Sequence, residues 1–451
     1  MLAAISVVEN RLDEPTTKGL ARAVTRAIRD GALEPGQHLP PIRTVAQQLM
    51  LSPTTVSAAW QLLARSGTIR SDGRRGTTIA PSGSAGGERY LRALHHQSDV
   101  SLDLSTGTPD AAMLPDIRAA LSAIPHSATP ASYLDDPVLP ELRARLLADW
   151  PYTSDGLLVV DGALDALDLV VRTLLRPGDL VLVDAPAFPP LLDLLEHRGV
   201  AVAGIPLDAT GPVLAHVEAG LAKAPAALFL QPRSHNPTGV SMSPTRARAL
   251  ARLVAASDVF VVEDDSAGPI AAGEPISLGR WVPDQVLHVR SFSKSLGPDL
   301  RIAAMSGPPQ LLAPVRHARA LGQGWTSRLL QHLLVALLEN PESLGQVATA
   351  RSEYARRREL VVKRLAERGI EVGGTDGINI WVPVRDEAAA VLRLASHGIA
   401  VTPGSPFSID RRAGEAAHIR VTTGLVRDDH VYVADLIADA ADVSAWTAAH
   451  R

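Results

Sequence analysis

The sequence predicts a small, mostly helical N-terminal unit joined to a large α/β unit built on a mostly parallel sheet. Three observations carry this. Within residues 1–80, apolar residues recur at helical spacing in short segments. Beyond about residue 100, short and nearly continuous apolar runs alternate with Ala- and Leu-rich helical stretches, the pattern of strands buried on both faces with helices as crossovers. Between the two lies Pro81-Ser82-Gly83-Ser84-Ala85-Gly86-Gly87, a composition that buries no core and marks residues 81–99 as a flexible linker.

Composition bounds the rest. With 46% hydrophobic residues in 451, a large core is within reach. No apolar run reaches the roughly 18 residues needed to span a bilayer, and the apolar start Met1 to Val8 lacks a basic flank and a cleavage signal. A cytoplasmic chain without a membrane partner is expected. The absence of cysteine excludes disulfides and thiolate metal sites, and no metal centre is expected. Charge is uneven: residues 1–80 carry ten Lys/Arg against six Asp/Glu, whereas the chain as a whole has a net charge of −4. A basic end on an acidic chain points to a polyanion partner for that end.

In the N-terminal unit, Leu20, Val24, Ala27 and Ile28 mark a first helix from Thr16 to Asp30, stopped by Gly31. A connector over 32–41 leads to a second helix, Ile42 to Met50. Ser52 then caps a third, with Pro53 at its first position, running to about Arg65. Two short helices joined by a tight turn describe a helix-turn-helix, whose second member offers Thr54, Thr55 and Ser57 to a DNA major groove. Thr68 to Ile79 reads as two strands around the basic turn Gly73-Arg74-Arg75-Gly76, a wing whose arginines can lie over phosphates. This block resembles the winged helix-turn-helix of the GntR family in Pro35-Gly36, Leu39-Pro40, Arg43, Ala46, Thr55-Val56 and the Gly-rich wing Gly73 to Thr77. A serine common in that family after Leu-Pro is Pro41 here. The resemblance implies contacts to double-stranded DNA by Arg43, Thr54, Thr55, Arg74 and Arg75, with Ser57 beside them.

In the second unit the apolar runs are Leu157–Val160, Leu180–Asp184, Ala201–Ile205, Ala226–Gln231, Val259–Glu263 and Val286–Val289, with crossover helices at Asp165–Leu175 and Pro244–Ala256. Ligands of such sheets lie beyond the strand C-terminal ends. Those ends carry Asp161-Gly162-Ala163-Leu164, where a helix start can hold a phosphate; Phe188, which can stack on a flat ring; His235-Asn236-Pro237-Thr238-Gly239, with an amide for a ring oxygen; and Glu263-Asp264-Asp265. After the last run comes Ser291-Phe292-Ser293-Lys294-Ser295, with Arg301 seven residues beyond the lysine. Lysine condenses with an aldehyde, and hydroxyls beside an arginine suit a phosphate. Pyridoxal phosphate carries both groups. Of the four lysines in the chain, Lys18, Lys223 and Lys363 lie among other kinds of neighbour, so Lys294 is the candidate.

Taken in this order, the strand-end residues resemble the fold type I, aspartate aminotransferase-like family of pyridoxal phosphate proteins over residues 100–451, a large mostly parallel domain followed by a small C-terminal α/β subdomain. The resemblance implies pyridoxal 5'-phosphate as cofactor, with Lys294 as its Schiff-base lysine, Asp264 on the ring nitrogen, Asn236 on the ring hydroxyl and Phe188 stacked on the ring. It assigns phosphate contacts to Ala163, Leu164, Ser291 and Arg301, with Tyr133 reaching the partner subunit's phosphate in a homodimer. Arg420, in His418-Ile419-Arg420-Val421, matches the arginine for a substrate or effector carboxylate. One element departs: where the family carries a tyrosine two or three residues after the ring-pairing aspartate, this chain has Asp265, Ser266, Ala267 and Gly268. That weakens control of the imine proton and argues against efficient transamination.

A GntR-like reader at 1–80 ahead of an aminotransferase-like body at 100–451 is the architecture of the MocR regulators. The function it implies is transcriptional regulation through DNA, sensing pyridoxal phosphate or an amino compound at Lys294. The alternative is an active aminotransferase with an accessory DNA-binding domain.

Overall fold

The computed structural model describes residues 2–34, 36–65, 68–71, 76–79, 89, 100–124, 132, 135–409 and 417–443. The N-terminal unit comprises helices α1 (Leu2–Glu9), α2 (Thr17–Arg29), α3 (Ile42–Gln48) and α4 (Pro53–Arg65), with strands β1 (His38–Leu39), β2 (Ile69–Ser71) and β3 (Thr77–Ile79). Helix α2 begins where Thr16 Oγ1 accepts from Gly19 N at 3.0 Å. Its Leu20, Ala23, Val24 and Ala27 are fully buried, one stripe at helical spacing. Ser52 caps α4 as the sequence requires, accepting from Thr55 N at 3.0 Å. Two elements differ from expectation. The apolar start of the chain, which carries no helix signal in the sequence reading, forms helix α1 from Leu2 to Glu9, with Ala4, Ile5 and Val8 in the core. The connector contains β1, which pairs antiparallel with β3 and turns the wing hairpin into a three-stranded sheet ordered β1-β3-β2. A two-residue strand leaves no periodicity to read.

Strand β4 (Leu102–Asp103) opens the second unit. The main sheet follows: β5 (Gly156–Val160), β6 (Leu180–Ala185), β7 (Ala201–Asp208), β8 (Gly211–Pro212), β9 (Ala227–Leu230), β10 (Phe260–Asp265), β11 (Val286–Ser291) and β12 (Ala303–Gly307), in spatial order β5-β12-β11-β10-β9-β6-β7-β8. Each apolar run is a strand. The pairs β9/β10, β10/β11, β6/β9 and β6/β7 are parallel, whereas β12 runs antiparallel between β5 and β11. Strand β12 carries no strand signal in the sequence, because Ala303-Ala304-Met305-Ser306-Gly307 has no β-branched or aromatic residue. Alternate residues point to opposite faces: Val181 and Val183 pack under helix α5 (Ala163–Leu174), and Leu182 packs with helix α6 (Pro244–Ala255). Parallel pairing brings the C-terminal ends of β6, β7, β9, β10 and β11 to one edge, and helix α7 (Ser293–Leu296) begins two residues after β11 ends there.

The small subdomain is built from helix α8 (Pro341–Glu367), β13 (Ile380–Val384), helix α9 (Glu387–Ala395), β14 (Ile399–Ala400), β15 (Thr402–Pro403), β16 (Ala417–Val421) and helix α10 (His430–Ala441). Its sheet has the order β13-β16-β15, and β14 pairs in parallel with β4. Helix α9 also touches α2 and α4 of the N-terminal unit. Its Leu392 and Ala395 belong to the same buried cluster as Leu20, Val24, Ala59 and Leu63, so the two units share a core. Within the stretch expected to be a flexible linker, Arg89 is held, its backbone N donating to Asp193 Oδ2 at 2.9 Å and its Nη2 to Glu196 Oε2 at 2.7 Å. Among the described residues, no helix is long and apolar enough to cross a membrane, and no cluster of His, Cys, Asp and Glu could hold a metal ion.

Candidate functional site

Three consecutive acids end β10, and their neighbours sort them. Strand alternation puts Glu263 and Asp265 on one face and Asp264 on the other. Glu263 is taken by His288, Nδ1 to Oε2 at 2.8 Å, and by Leu278 N at 2.6 Å. Asp265 is clasped by Arg233 through Nη2 at 2.6 Å and Nε at 3.2 Å. Burial pushes Asp265 up, but Arg233 and His288 outweigh it and hold the carboxyl low. Asp264 alone faces the cleft. Its Oδ2 accepts from Gln231 Nε2 at 2.7 Å, and its buried Oδ1 has no hydrogen-bond partner among the described residues. Burial drives its pKa up, against the opposing pull of Gln231 and Lys294.

Lys294 stands half-buried on α7, Nζ 3.4 Å from Ser266 Oγ. Burial of the ammonium lowers its pKa; Asp264 works against this and Arg420 adds to it. The cleft wall contains Phe188, Gln231, His235, Asp184 and Asp264. Phe188 follows the cis peptide Ala185-Pro186, and the neighbouring Ala187 N donates to the Phe407 carbonyl at 2.9 Å. Asn236, in the turn after β9, receives Arg420 Nη1 on its Oδ1 at 3.3 Å and Asn379 Nδ2 at 3.5 Å. Arg420 is fully buried in β16, with Nη2 on the Ser105 carbonyl and on Thr402 Oγ1 at 3.0 Å. It is not the solvent-facing ion pair usual for an arginine late in a strand. Gly107, at φ +65, admits it: a Cβ there would stand 3.3 Å from Arg420 Nη1.

At the other end of the cleft, α5 starts at Ala163 after Gly162, and no side chain caps it. The leading N–H groups of Ala163 and Leu164 thus lack an intrahelical acceptor, the ordinary condition of an anion-binding helix start. Arg301 Nη2 donates to the Asp161 carbonyl at 3.2 Å, and a Cβ on Gly162 would come within 3.1 Å of that same nitrogen. Ser291 is buried at the end of β11 and accepts from Ser293 N at 3.3 Å. Arg319, missed in the sequence because it sits inside a helix far from any strand end, fastens this turn. Its Nη1 reaches Asp161 Oδ2 at 3.1 Å and Asp165 Oδ2 at 2.9 Å, and Thr326 Oγ1 meets Asp161 Oδ1 at 2.8 Å.

These groups fit pyridoxal phosphate. Asp264 Oδ1 is a buried acceptor still owed a donor, as a protonated ring nitrogen would supply; Lys294 is an amine of lowered pKa; and an uncapped helix start beside Arg301 suits a phosphate. In the reader, Arg43 and Thr54 are exposed and Thr55 and Ser57 half-buried, and the Ser52 hydroxyl bonds those of Thr54 and Thr55 at 2.7 Å each. The hydroxyls at the head of α4 are therefore engaged in its cap as well as open to solvent. Tyr133, Arg74 and Arg75 lie outside the described residues.

The chain matches the bacterial regulatory proteins of the gntR family over residues 16–79 and the class I and II aminotransferases over residues 99–437. A gntR-type reader joined to an aminotransferase fold defines the MocR-type transcriptional regulators, and this chain belongs to that family. It is 32% identical over 434 residues to the vitamin B6 salvage pathway transcriptional repressor PtsJ of Salmonella typhimurium, covering 93% of this chain and 97% of that protein. It is 27% identical over 428 residues to the pyridoxine biosynthesis transcriptional regulator PdxR of Corynebacterium glutamicum, covering 90% and 92%. Among solved structures, the kynurenine aminotransferase of Pyrococcus horikoshii superposes with a TM-score of 0.70 at 24% identity, over 80% of this chain and 96% of that one, a likeness of fold. Pyridoxal phosphate is the cofactor of the class I and II aminotransferase domain.

Proposed function

We infer that this chain is a homodimeric, cytoplasmic regulator whose grip on DNA responds to occupancy of the cleft around Lys294. One observation carries the reading. The small subdomain places Arg420 against Asn236 in the cleft, and through Leu392 and Ala395 of α9 it completes the hydrophobic core of the reader. Any ligand that prefers one position of the subdomain thereby prefers one position of the reader, and the shift is limited to its differential affinity for the two. The names of the two relatives, one tied to vitamin B6 salvage and one to pyridoxine biosynthesis, support the cofactor itself as the signal.

When bound, pyridoxal phosphate supplies an aldehyde that a primary amine can capture. Lys294 would hold it through Nζ, Asp264 would keep the ring nitrogen protonated, Asn236 would meet the ring oxygen and Phe188 would cover one ring face. Ala163, Leu164, Ser291 and Arg301 would hold the phosphate, joined by the partner subunit's Tyr133. Arg420 would take a carboxylate, if the effector is an amino acid. Ser266, two residues after Asp264, offers a short hydroxyl beside Lys294 Nζ where the family expects a phenol, which favours capture over rapid turnover.

The test is footprinting of the chain's own promoter, with DNA affinity then measured against pyridoxal phosphate alone, amino compounds alone and both. Wild type should respond to pyridoxal phosphate, whereas Lys294→Ala should lose the near-visible absorption and the response while still binding DNA. Leu392→Asp should bind DNA without responding. Turnover of amino donors and keto acids at roughly 1 to 1000 per second, or a wild-type DNA affinity indifferent to every ligand, would overturn the reading.

A further inference from the structure

We propose that Gln231 is a positioning residue that sets the two ring contacts of the cofactor as a single unit. It follows the last residue of β9, and its side-chain amide spans two groups assigned to the ring. Nε2 donates to Asp264 Oδ2 at 2.7 Å, and Oε1 accepts from the backbone N of Asn236 at 2.8 Å. Its own backbone N is held by Asp184 Oδ2 at 2.8 Å, which anchors it to the neighbouring strand β6. The orientation of this amide is not arbitrary. A carboxylate only accepts and a backbone N–H only donates, so flipping the amide would set oxygen against oxygen on one side and N–H against N–H on the other.

Two consequences follow. Because Gln231 occupies Oδ2, Asp264 keeps Oδ1 for the cleft, and that atom is the one without a partner among the described residues. Because the same amide grips Asn236, the separation of the ring-nitrogen and ring-oxygen contacts is fixed by one planar group rather than by two independent loops. The donor also opposes the rise in Asp264 pKa that burial imposes. Without it the carboxyl drifts toward its neutral form and stops pairing with a charged ring.

The proposal rests on pyridoxal phosphate occupying this cleft, and two variants distinguish it from a packing role. Gln231→Leu removes both bonds, and cofactor affinity should fall about ten- to hundredfold at every pH, the range for a lost bond to a charged group. Gln231→Glu puts an acceptor against Asp264 when ionised but a donor when protonated. Its affinity should fall at pH 8 and recover as pH is lowered toward 5.5, with the titration of the near-visible band displaced from wild type. Measurements are cofactor affinity by absorbance titration of the full-length protein, band position against pH, and thermal melting of the cofactor-free form. Wild-type affinity and titration in both variants would overturn the role of Gln231. So would an equal loss in Gln231→Glu at all pH values, the mark of simple misfitting. If Gln231→Leu fails to fold, the pH recovery of Gln231→Glu decides alone. A wild-type protein that shows no near-visible band with pyridoxal phosphate would instead sink the reading of the cleft.

Discussion

The Arg420 guanidinium donates from Nη1 to Asn236 Oδ1 at 3.3 Å and from Nη2 to Thr402 Oγ1 at 3.0 Å, so one fully buried side chain joins the turn after β9 to two strands of the small subdomain. An incoming carboxylate would compete with Asn236 for that nitrogen. Arg420→Gln is expected to keep the near-visible band of the cofactor yet weaken the spectral response to amino acids about ten- to hundredfold, as loss of a charged, bidentate partner implies. Arg420→Lys should rescue little, since an ammonium cannot reproduce the planar fork. Titration of the band with a panel of amino acids checks this, and an unchanged midpoint would remove Arg420 from the effector site.

Asp184 is buried on β6, with Oδ1 unpartnered among the described residues, and burial pushes it up to about 7 while Gln231 N pulls the other way. Its neighbour His235, held down to about 3 by burial, is neutral at physiological pH and gives no compensating charge. The folded state binds the Asp184 proton more tightly than the unfolded chain does. The resulting stability is complete below the ordinary carboxyl value and is lost as pH rises toward 7. Asp184→Asn cannot ionise. In urea unfolding of the cofactor-free protein, its stability relative to wild type should increase between pH 4.5 and 7.5, by roughly 3 kcal/mol; a pH-independent difference would refute the buried, protonated state.

Asp110 is fully buried between Arg357 Nη1 at 2.8 Å and Arg427 Nη2 at 2.6 Å, and its backbone N donates to Tyr354 Oη at 3.0 Å. Burial raises its pKa, but the two arginines prevail and hold it at about 2. That stability is present above the ordinary carboxyl value and is lost as pH falls through about 2. Asp110→Ala should cost about 3 kcal/mol or more, because Arg357 stays buried without its main counter-charge. The urea midpoint at pH 7 measures it.

In the wing, Arg74→Ala should lower DNA affinity across sequences and reduce the slope of log affinity against log salt by about one. An unaltered slope would take this arginine off the phosphates.

Much of this arrangement was legible beforehand, for a physical reason. Strands buried on both faces must be apolar along their length, so their ends stand out, and chemistry on such a sheet gathers at those ends. That logic reached Lys294, Asn236, Phe188 and the acids of β10. It could not say why Asp264 rather than Asp265 faces the cleft, which depends on Arg233 and on strand parity. It passed over Gln231, which reads as the edge of an apolar run, and Arg319, whose work on Asp161 is done across 158 residues of chain. Strand β12 escaped because small residues wedged between two strands are held by their neighbours rather than by their own propensity.

The seating of Leu392 and Ala395 in the reader's core bears on modularity. A segment cut at residue 80 would carry a bare apolar notch where α9 belongs, inviting self-association and lower solubility. A chimera that grafts a foreign reader onto this body would meet the mismatched face of α9. Exchanging specificities between relatives of this kind therefore calls for transplanting that face of α9 together with the reader, as one piece.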